Sequence, residues 1–398
     1  MNKVKIERLD DFGRGIGYIN DKVTFISGAI PGEEVECEII KESKKYNEAK
    51  LFKIIKESDK RIISKCKYYK ECGGCHLQHL SYEDSIEFKK NKLKNIFNKN
   101  KISINDIDII KNNFNYNYRN KIELKVKDGK IGFYENKSHN IVSIDECIVA
   151  KKCINSIITA LKKCDLEKAN ITIRANYNEE ILLIVDTNDK FNYENLIKNN
   201  KIVGIILNDK LIYGEDYFTE VINDLYFKVS YNSFFQINEY ICSKLFEIID
   251  SNIDNNSNVL DLYCGVGTLS LVASKKANKV YGIEIVENAI LNAITNAKIN
   301  KRDNLYFMCG DVPKLIDKID DNIDIIIVDP PRAGLDKKTI DTIIKNNPKK
   351  IIYVSCDPQT LVRDLKILEE YYDIKKATAL DMFSYTYHCE SITILERR

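Results

Sequence analysis

The chain has 398 residues, 44% of them hydrophobic, and its 61 lysines and arginines nearly balance 59 aspartates and glutamates. This composition excludes a disordered chain and predicts a globular protein of two or three domains, because one hydrophobic core rarely serves so long a chain. The sequence contains no apolar run long enough to cross a bilayer and no signal peptide, so we expect a cytoplasmic protein without a membrane partner.

The first 58 residues alternate apolar and polar side chains in short segments that glycine-rich bends such as Gly13–Tyr18 separate. Alternation with a period of two predicts half-buried strands. Short strands with glycine bends are typical of an OB-like barrel, a scaffold that often binds oligonucleotides. The candidate strands are Val4–Ile6, Val23–Ile26, Val35–Ile39 and Ala49–Ile55.

Residues 41–100 carry a local excess of positive charge, with 16 lysines and arginines against 8 acidic residues. Such a stretch suits a polyanion such as nucleic acid, although a solvated face on a lysine-rich protein would look the same. A charged helix is predicted within it over Tyr82–Asn98.

The twelve cysteines are expected to be reduced, because the sequence carries no export signal. Metal binding or catalysis then explains the clustered cysteines of the segment Cys66–Cys75 better than disulfides do. Isolated cysteines are expected as small core residues. Examples are Cys37, Cys164, Cys242 and Cys309.

Residues 114–228 mix strand and helix patterns and predict an α+β domain. Candidate strands are Lys121–Val126, which the turn Asp128–Gly129 follows, Ile171–Arg174 and Ile181–Val185.

From about residue 229, strands and helices alternate along the chain, which predicts a doubly wound parallel sheet. The five candidate strands are Val259–Tyr263, Lys279–Ile283, Leu305–Met308, Ile325–Val328 and Ile351–Val354.

The glycine loop, Asp261–Thr268, closes the first of these strands. Its two glycines, Gly265 and Gly267, allow positive φ and let the backbone approach a ligand. Glu284, about 20 residues further on at the end of the second strand, can accept hydrogen bonds from a ribose diol. The loop lacks the full G-x-G-x-x-G pattern of a pyrophosphate site, and Asp261 suits an ammonium group better than a phosphate. The pattern therefore favours S-adenosylmethionine over a dinucleotide.

Two polar segments follow buried apolar runs near the end of the sequence. Asp329–Arg332 comes after Ile325–Val328, and Ser355–Pro358 comes after Ile351–Val354. Open α/β sheets build their active sites at the carboxyl ends of such strands. Cys356, in the second segment, is therefore a candidate nucleophile.

Together these residues resemble the RNA uracil-5-methyltransferases of the RumA/TrmA family, and the match runs almost the length of the chain. The resemblance implies a multi-domain α/β fold. Residues 1–58 would form an OB-like TRAM barrel that binds RNA, 59–228 a central α+β domain with an iron–sulfur site, and 229–398 a doubly wound, Rossmann-like methyltransferase domain. The matching motifs are Phe234–Asn238, Asp261–Thr268, Gly282–Glu284, Asp329–Gly334, Ser355–Thr360 and His388–Glu390.

The resemblance assigns Cys356 as the nucleophile that adds to C6 of uracil and Glu390 as the general base, with a pKa that burial raises; His388 is the alternative base. We expect Arg332 to favour the Cys356 thiolate. At least one of Phe234 and Phe235 is expected to pack in the core. The resemblance places cofactor contacts at Gln236, Tyr263, Glu284 and Asp329.

The cysteines resemble the four-cysteine site of the RumA branch, with Cys66, Cys72, Cys75 and Cys147 as ligands. Four thiolates hold either a 4Fe–4S cluster or a tetrahedral zinc, and spacing alone does not choose between them. The single C-x2-C pair fits the iron–sulfur relatives better. Cys153 competes for the fourth position.

The sequence departs from the family pattern near the base and beside the nucleophile. Ser384–Thr386 stands where relatives have Pro-Gln-Thr, Cys389 where an aliphatic residue is common, and Asp357 where Asn is frequent. These departures concern the surroundings of the base rather than the chemistry.

The expected partner is RNA, and a monomer is expected. The branch that carries both the TRAM domain and the cluster mostly modifies 23S ribosomal RNA, which we therefore favour over tRNA. A non-catalytic RNA-binding or iron–sulfur regulatory protein would have no reason to keep Cys356, Glu390 and the glycine loop together. DNA cytosine-5 methylation typically needs a Pro-Cys nucleophile, which this sequence lacks.

Overall fold

A computed structural model describes residues 1–104 and 107–398 and divides into two compact units. The first comprises residues 1–92, 134–140 and 383–388, and the second comprises 93–133, 141–382 and 389–398. Both units draw on several stretches of chain, so the predicted domain boundaries near residues 58 and 228 stay predictions. Among the described residues, every helix is too short or too polar to cross a membrane.

The first unit contains a six-stranded sheet with the order β1-β5-β6-β4-β3-β2. Inward-facing side chains such as Val4, Ile26 and Val35 are fully buried and form its core, as alternation predicts. The four predicted strands are present. Strands β2 and β3 are additional, and β3 occupies most of the segment Gly13–Tyr18 that was predicted as a glycine-rich bend. The strands are β1 (Asn2–Lys5), β2 (Arg8–Leu9), β3 (Gly15–Ile19), β4 (Lys22–Ser27), β5 (Glu34–Glu42) and β6 (Tyr46–Lys56).

The helix α1 (Tyr82–Lys99) confirms the helix predicted over Tyr82–Asn98. Lys89 on this helix is fully buried and donates to the Phe383 carbonyl at 2.8 Å. Lys92, one turn later, donates to the Tyr387 carbonyl at 2.9 Å. Two lysines of the basic stretch therefore hold the 383–388 segment of the first unit rather than facing solvent.

In the second unit, β7 (Ile107–Ile110) precedes a seven-stranded sheet with the order β10-β9-β8-β11-β12-β13-β14. The predicted turn at Asp128–Gly129 joins β8 to β9, and both of its residues have positive φ. The elements are β8 (Lys121–Lys127), β9 (Lys130–Tyr134), β10 (Ile141–Ser143), α2 (Lys152–Leu161), β11 (Lys168–Ala175), β12 (Ile181–Thr187), α3 (Glu194–Asn199), β13 (Ile202–Leu207) and β14 (Lys210–Gly214). An antiparallel hairpin of β15 (Tyr217–Ile222) and β16 (Leu225–Ser230) follows.

An eight-stranded sheet with the order β19-β18-β17-β20-β21-β23-β22-β7 dominates the second unit. The five predicted strands are its parallel part, β17 to β21. Its strands are β17 (Asn258–Leu262), β18 (Lys279–Glu284), β19 (Leu305–Cys309), β20 (Ile325–Val328), β21 (Lys350–Ser355), β22 (Tyr372–Leu380) and β23 (Glu390–Arg397). Its helices are α4 (Glu239–Asn252), α5 (Thr268–Ala273), α6 (Glu287–Ile299), α7 (Val312–Leu315), a 3-10 turn at Ile316–Lys318, α8 (Lys337–Asn346) and α9 (Pro358–Leu368).

The strand order of this sheet confirms the doubly wound, Rossmann-like fold. The chain runs from β17 outward to β18 and β19, then returns to the other side of β17 to form β20. Ligands of such sheets bind where the order reverses, beyond the carboxyl ends of the strands. Residues Ile325–Val328 are fully buried, as a parallel strand covered on both faces requires.

Candidate active site

The glycine loop leaves the carboxyl end of β17 in a conformation that only a few residue types adopt easily. Tyr263, Gly265 and Gly267 all have positive φ, of 64°, 53° and 81°. A side chain added at Gly265 would meet nothing within 4 Å, whereas one at Gly267 would lie 3.0 Å from the Phe307 ring. The loop therefore presents open space at Gly265 and packs tightly against β19 at Gly267.

Glu284 ends β18 and closes the glycine loop from the side. Its Oε2 accepts from the Gly265 amide at 3.2 Å, and its Oε1 accepts from the Ile285 and Val286 amides at 2.8 and 2.9 Å. A carboxylate has about four acceptor positions, so Glu284 can still accept a hydrogen bond from a ligand hydroxyl.

Asp261 is fully buried and is the second-last residue of β17. Its Oδ2 accepts from the Ser270 hydroxyl at 2.5 Å, but its Oδ1 has no partner. The pKa of Asp261 is raised to about 7. Burial is the largest cause, the hydrogen bond from Ser270 opposes it, and the charges of Asp329 and Glu284 add to it. An orphaned carboxylate oxygen beside a glycine loop fits a cationic ligand.

Gln236 lies in the segment that joins β16 to α4. The Asn120 side chain donates to the Gln236 carbonyl at 3.1 Å, and the Asn120 amide donates to the Ile237 carbonyl at 3.0 Å. Phe235 is buried against Phe227, as expected for one member of the Phe-Phe pair. Phe234 is 71% exposed, so it has no packing role and is available for a ligand.

Asp329 follows β20, and its amide donates to the Leu262 carbonyl at 3.4 Å. The carboxyl is half-buried, and desolvation raises its pKa to about 6. Asp364 holds the turn that follows Asp329. Its Oδ2 accepts from the Leu335 amide at 2.8 Å and from the Tyr353 hydroxyl at 2.6 Å. Arg363 adds donors to the Ala333 and Leu335 carbonyls.

The Asp364 anchor was missed by the sequence reasoning. Its signal is an Arg-Asp pair about two helical turns beyond the candidate nucleophile, on α9. Asp364 and Tyr353 are both fully buried and bonded to each other, so they fix the loop that carries Asp329 and Arg332.

Cys356 comes directly after β21 and before α9. Asp357 caps that helix by accepting from the Gln359 amide at 2.8 Å and the Thr360 amide at 3.4 Å. The thiol is half-buried. Desolvation, with the charges of Glu390 and Asp329, raises the pKa of Cys356 to about 11, and Arg332 lowers it by less. Arg332 therefore favours the thiolate in the expected direction, but burial and the two carboxylates outweigh its effect.

Glu390 is the first residue of β23, which runs antiparallel to β21. Because β23 runs in reverse, its first residue lies at the same edge of the sheet as the last residue of β21. Glu390 pairs with Leu380 on its other side and is 4% exposed. Burial raises the pKa of Glu390 well above its ordinary value, Asp329 raises it further, and Arg332 opposes the shift.

The structure thus brings Cys356, Glu390, Asp329 and Arg332 into mutual electrostatic influence at one edge of the sheet. At neutral pH the thiol form of Cys356 predominates, and burial favours the protonated form of Glu390 more than it would favour that of an exposed glutamate. A thiol and a carboxyl group can act as nucleophile and base only after each has lost its proton. His388, the alternative base, belongs to the other unit, where its ring packs against Phe383, Tyr387 and His76.

The cysteine-rich segment forms tight turns in the first unit. The Tyr69 amide donates to the Cys66 carbonyl at 3.2 Å, the Cys72 amide donates to the Tyr68 carbonyl at 2.8 Å, and the Gly74 amide points at the Cys72 sulfur at 3.4 Å. Cys75 lies in the same unit and Cys147 in the second unit.

In residues 1–104 and 107–398, no group of three or more His, Cys, Asp or Glu side chains is arranged to hold a metal ion. Cys66, Cys72, Cys75 and Cys147 therefore do not form such a group in this structure. The iron–sulfur cluster remains a prediction from the sequence. Among the isolated cysteines, Cys37, Cys164 and Cys242 are buried as expected, but Cys309 is exposed, and the core prediction for it is wrong.

Two family models match the chain. The model described as tRNA (Uracil-5-)-methyltransferase matches residues 81–310 and 313–398. The TRAM domain model matches residues 3–52, which hold the strands of the N-terminal sheet.

Known proteins match over nearly the whole chain. An uncharacterized RNA methyltransferase of Clostridium tetani is 37% identical, with 96% of this chain and 93% of that protein covered. Another from Caldanaerobacter subterraneus subsp. tengcongensis is 36% identical, with 100% of both covered.

A crystal structure of the Pyrococcus abyssi tRNA (uracil-54, C5)-methyltransferase in complex with S-adenosyl-L-homocysteine has a similar fold. It superposes with a TM-score of 0.84 at 28% identity and covers 99% of this chain and 100% of that one. The family match extends over most of the chain, including the motifs that form the site. The chain therefore belongs to the tRNA (uracil-5-)-methyltransferase family, a family of RNA methyltransferases, and carries an N-terminal TRAM domain.

Proposed function

We propose that this protein transfers a methyl group from S-adenosylmethionine to C5 of a uridine in 23S ribosomal RNA. The observation that carries the proposal is the meeting of a cysteine and a buried glutamate at the edge of the sheet where the glycine loop opens. Cys356 directly follows β21, and Glu390 begins its antiparallel neighbour β23. A protein that only binds RNA would not require a nucleophile and a base at this edge of the sheet.

The chemistry requires both groups because C5 of uracil is a poor nucleophile. Addition of the Cys356 thiolate at C6 places negative charge on C5 and O4. C5 then forms a bond to the methyl carbon as the bond from that carbon to the sulfonium sulfur breaks, and S-adenosylhomocysteine leaves. Removal of the C5 proton by Glu390 drives elimination of the thiolate and restores the ring. One difficult step is thereby divided into easier ones.

The raised pKa values indicate what each group must do before it reacts. Cys356, with a pKa of about 11, must lose its proton to solvent before its thiolate attacks. Glu390 has a raised pKa, which makes its carboxylate a stronger base once it has ionised. Arg332 stabilises the negative form of both groups, so we assign it the role of lowering the cost of ionisation.

The residues of the glycine loop fit S-adenosylmethionine. When bound, this molecule supplies a methyl group on a positively charged sulfur. The free acceptor position on Glu284 suits the ribose, and the half-buried ring of Tyr263 can pack against the ligand. Gln236 and Asp329 are assigned to the place where methyl donor and target base meet. The orphaned Oδ1 of Asp261 supports a cationic ligand.

The target uridine must leave its base stack to expose C5 and C6. The exposed ring of Phe234, next to Gln236 in sequence, provides a stacking surface for such a base. The TRAM domain and the basic stretch of residues 41–100 supply contacts to the phosphate backbone.

A second candidate target is tRNA, and one observation favours it. The Pyrococcus abyssi protein with the same architecture over 99% of this chain is described as a tRNA (uracil-54, C5)-methyltransferase. Ribosomal RNA is supported by the resemblance of the cysteine-rich segment to the branch that modifies it.

Mapping 5-methyluridine separates the two targets. Ribosomal RNA and tRNA from cells with and without the gene are digested and compared by mass spectrometry, with a strain that expresses Cys356→Ala as the control. Loss of one modified position in 23S RNA supports the first target, and loss in tRNA supports the second. If neither RNA changes, the proposed function is wrong.

A further inference from the structure

Two asparagines of α6 and a third that caps its C-terminus lie four residues apart and contact the hairpin strand β16. We call Asn292, Asn296 and Asn300 the asparagine ladder. Four residues of helix rise about 6 Å, and two residues of strand rise about 6.6 Å. The two spacings match, so successive helical asparagines can reach alternate residues of the strand.

The contacts follow this match rung by rung. Asn300 accepts from the Tyr226 amide at 2.9 Å and donates to the Tyr226 carbonyl at 2.6 Å. Asn296 accepts from the Lys228 amide at 2.6 Å and donates to the Lys228 carbonyl at 3.2 Å. Each side-chain amide thus pairs with a strand residue as a neighbouring strand would.

The third rung reaches the segment that leads to Gln236. Asn292 accepts from the Ser230 hydroxyl at 3.1 Å and donates to the Ser233 hydroxyl at 3.0 Å. Buried Arg174, on β11, also contacts this segment. Its guanidinium donates to the carbonyls of Ser230, Tyr231 and Ser233 at 3.2, 3.2 and 2.8 Å.

Asn296 differs from the other two rungs because it also touches the glycine loop. Its second amide hydrogen is donated to the Val266 carbonyl at 3.0 Å. Asn296 is fully buried, and each of its polar atoms has a partner. Val266 lies between the two glycines of the loop, whose backbone would otherwise be among the most mobile in the unit.

We propose that Asn296 is a positioning residue for S-adenosylmethionine, and this inference rests on the proposed function. The Asn296 side chain links the glycine loop to strand β16, which leads into the segment that contains Gln236. It thereby fixes the distance between the glycine loop and the Gln236 segment, which together would hold the methyl donor. Removing the Asn296 side chain frees the glycine loop and the hairpin at once. Removing the Asn300 side chain frees Tyr226 and the Asn296 carbonyl, to which Asn300 also donates at 2.8 Å, but leaves the bond to the glycine loop in place.

The test compares Asn296→Ala with Asn300→Ala in the full-length chain. S-adenosylhomocysteine binding is measured by isothermal titration calorimetry well below each melting temperature. Asn296→Ala is expected to raise the Kd about tenfold and to raise the KM for S-adenosylmethionine more than it lowers kcat. Asn300→Ala is expected to change the Kd less than about twofold.

A merely structural role has a different signature. It would lower the number of binding sites per chain, because part of the sample would be unfolded, and leave the Kd of the folded part unchanged. An unchanged Kd in Asn296→Ala would overturn the inference. If wild-type protein fails to bind S-adenosylhomocysteine, the proposed function fails instead.

A measurement on the wild-type protein covers the case in which Asn296→Ala does not fold. Coupling between two sites is reciprocal, so the bound ligand must stabilise the ladder if the ladder stabilises binding. Hydrogen exchange at the Lys228 amide should slow about tenfold on addition of S-adenosylhomocysteine, by more than at the Tyr226 amide. Unchanged exchange at Lys228 would contradict the proposal.

Discussion

Ser355 and Ser391 are register partners in the antiparallel pair of β21 and β23, and the Ser391 hydroxyl donates to the Ser355 carbonyl at 3.3 Å. One step beyond this pair lie Cys356 and Glu390. Two residues that are 34 positions apart in the sequence therefore face the same edge of the sheet. The register of a single strand pair thus places the proposed nucleophile beside the proposed base.

Replacing Cys356 tests the covalent step. Cys356→Ala is expected to abolish methyl transfer, with a fall of at least about 10³-fold in kcat. Binding of S-adenosylhomocysteine should stay within about twofold of wild type, because the glycine loop is untouched. Incorporation of radioactive methyl groups into RNA measures the first quantity and calorimetry the second. Turnover near the wild-type rate would remove Cys356 from the mechanism.

Replacing Glu390 tests the base. Glu390→Gln keeps the size of the side chain but cannot accept the C5 proton, so elimination of the thiolate should stop. A methylated RNA–protein adduct is expected to accumulate and to run as a shifted band in denaturing gels. The double variant with Cys356→Ala is the control and should show no band. Full activity of Glu390→Gln would place the base elsewhere.

The pKa of Cys356 should respond to its charged neighbours in opposite directions. Asp329→Asn removes a negative charge that raises the pKa of the thiol, and Arg332→Gln removes a positive charge that lowers it. At pH 8 the first variant should react faster with iodoacetamide and the second more slowly, each by about two- to tenfold. Peptide mass spectrometry isolates the reaction of Cys356 from those of the other cysteines. Equal rates in the two variants would refute this electrostatic account.

The pH dependence of the protein's stability should reflect the raised pKa of Asp261. Its folded pKa is about 7, above the value in an unfolded chain. A raised carboxyl pKa stabilises the fold below pH 4 and loses that contribution as the pH rises to 7. Asp261→Asn removes the cost of ionisation, so its melting temperature should gain on wild type by a few degrees between pH 5 and pH 8.

Asp324 supplies the matched control with the opposite sign. The Asn258 amide and Lys349 lower the pKa of Asp324 against the effect of burial. Its contribution to stability is present at neutral pH and is lost as the pH falls. Asp324→Asn should therefore be less stable than wild type at pH 7 and approach it in acid. A melting difference for Asp261→Asn that does not vary with pH would contradict the assigned pKa.

The iron content tests the predicted cluster. If the four cysteines hold a 4Fe–4S cluster, protein purified without oxygen should be brown and contain about four iron atoms per chain. Replacing Cys72 and Cys75 by serine should abolish the colour, and Cys37→Ser should not. A colourless protein with bound zinc, or with no metal, would show that the cluster prediction is wrong.

The parallel part of the large sheet could be predicted from sequence because its strands are continuous apolar runs. Ile325–Val328 is a strand with the predicted bounds, and Ile351–Val354 lies within β21. Helix α1 could also be predicted from its charged residues and its length. Local composition is sufficient for elements whose burial does not depend on a distant partner.

The arrangement around the base could not be predicted, since it depends on pairing between distant strands. Strand β23 begins at Glu390 and carries alternating Ser, Thr and Ile residues that do not form a continuous apolar run. The raised pKa of Cys356 sums several charges and burial, and no motif encodes such a sum. The anchoring of the Asp329 loop by Asp364 also requires the packed α9.

The asparagine ladder also affects how the protein behaves when many copies are crowded together. An open strand edge can recruit a strand from another molecule and so begin aggregation. In the described part of the chain, β16 pairs with β15 along one edge, and the side-chain amides of Asn296 and Asn300 occupy donors and acceptors of the other edge at Tyr226 and Lys228. The backbone groups of these two residues are therefore not open to a strand from another molecule.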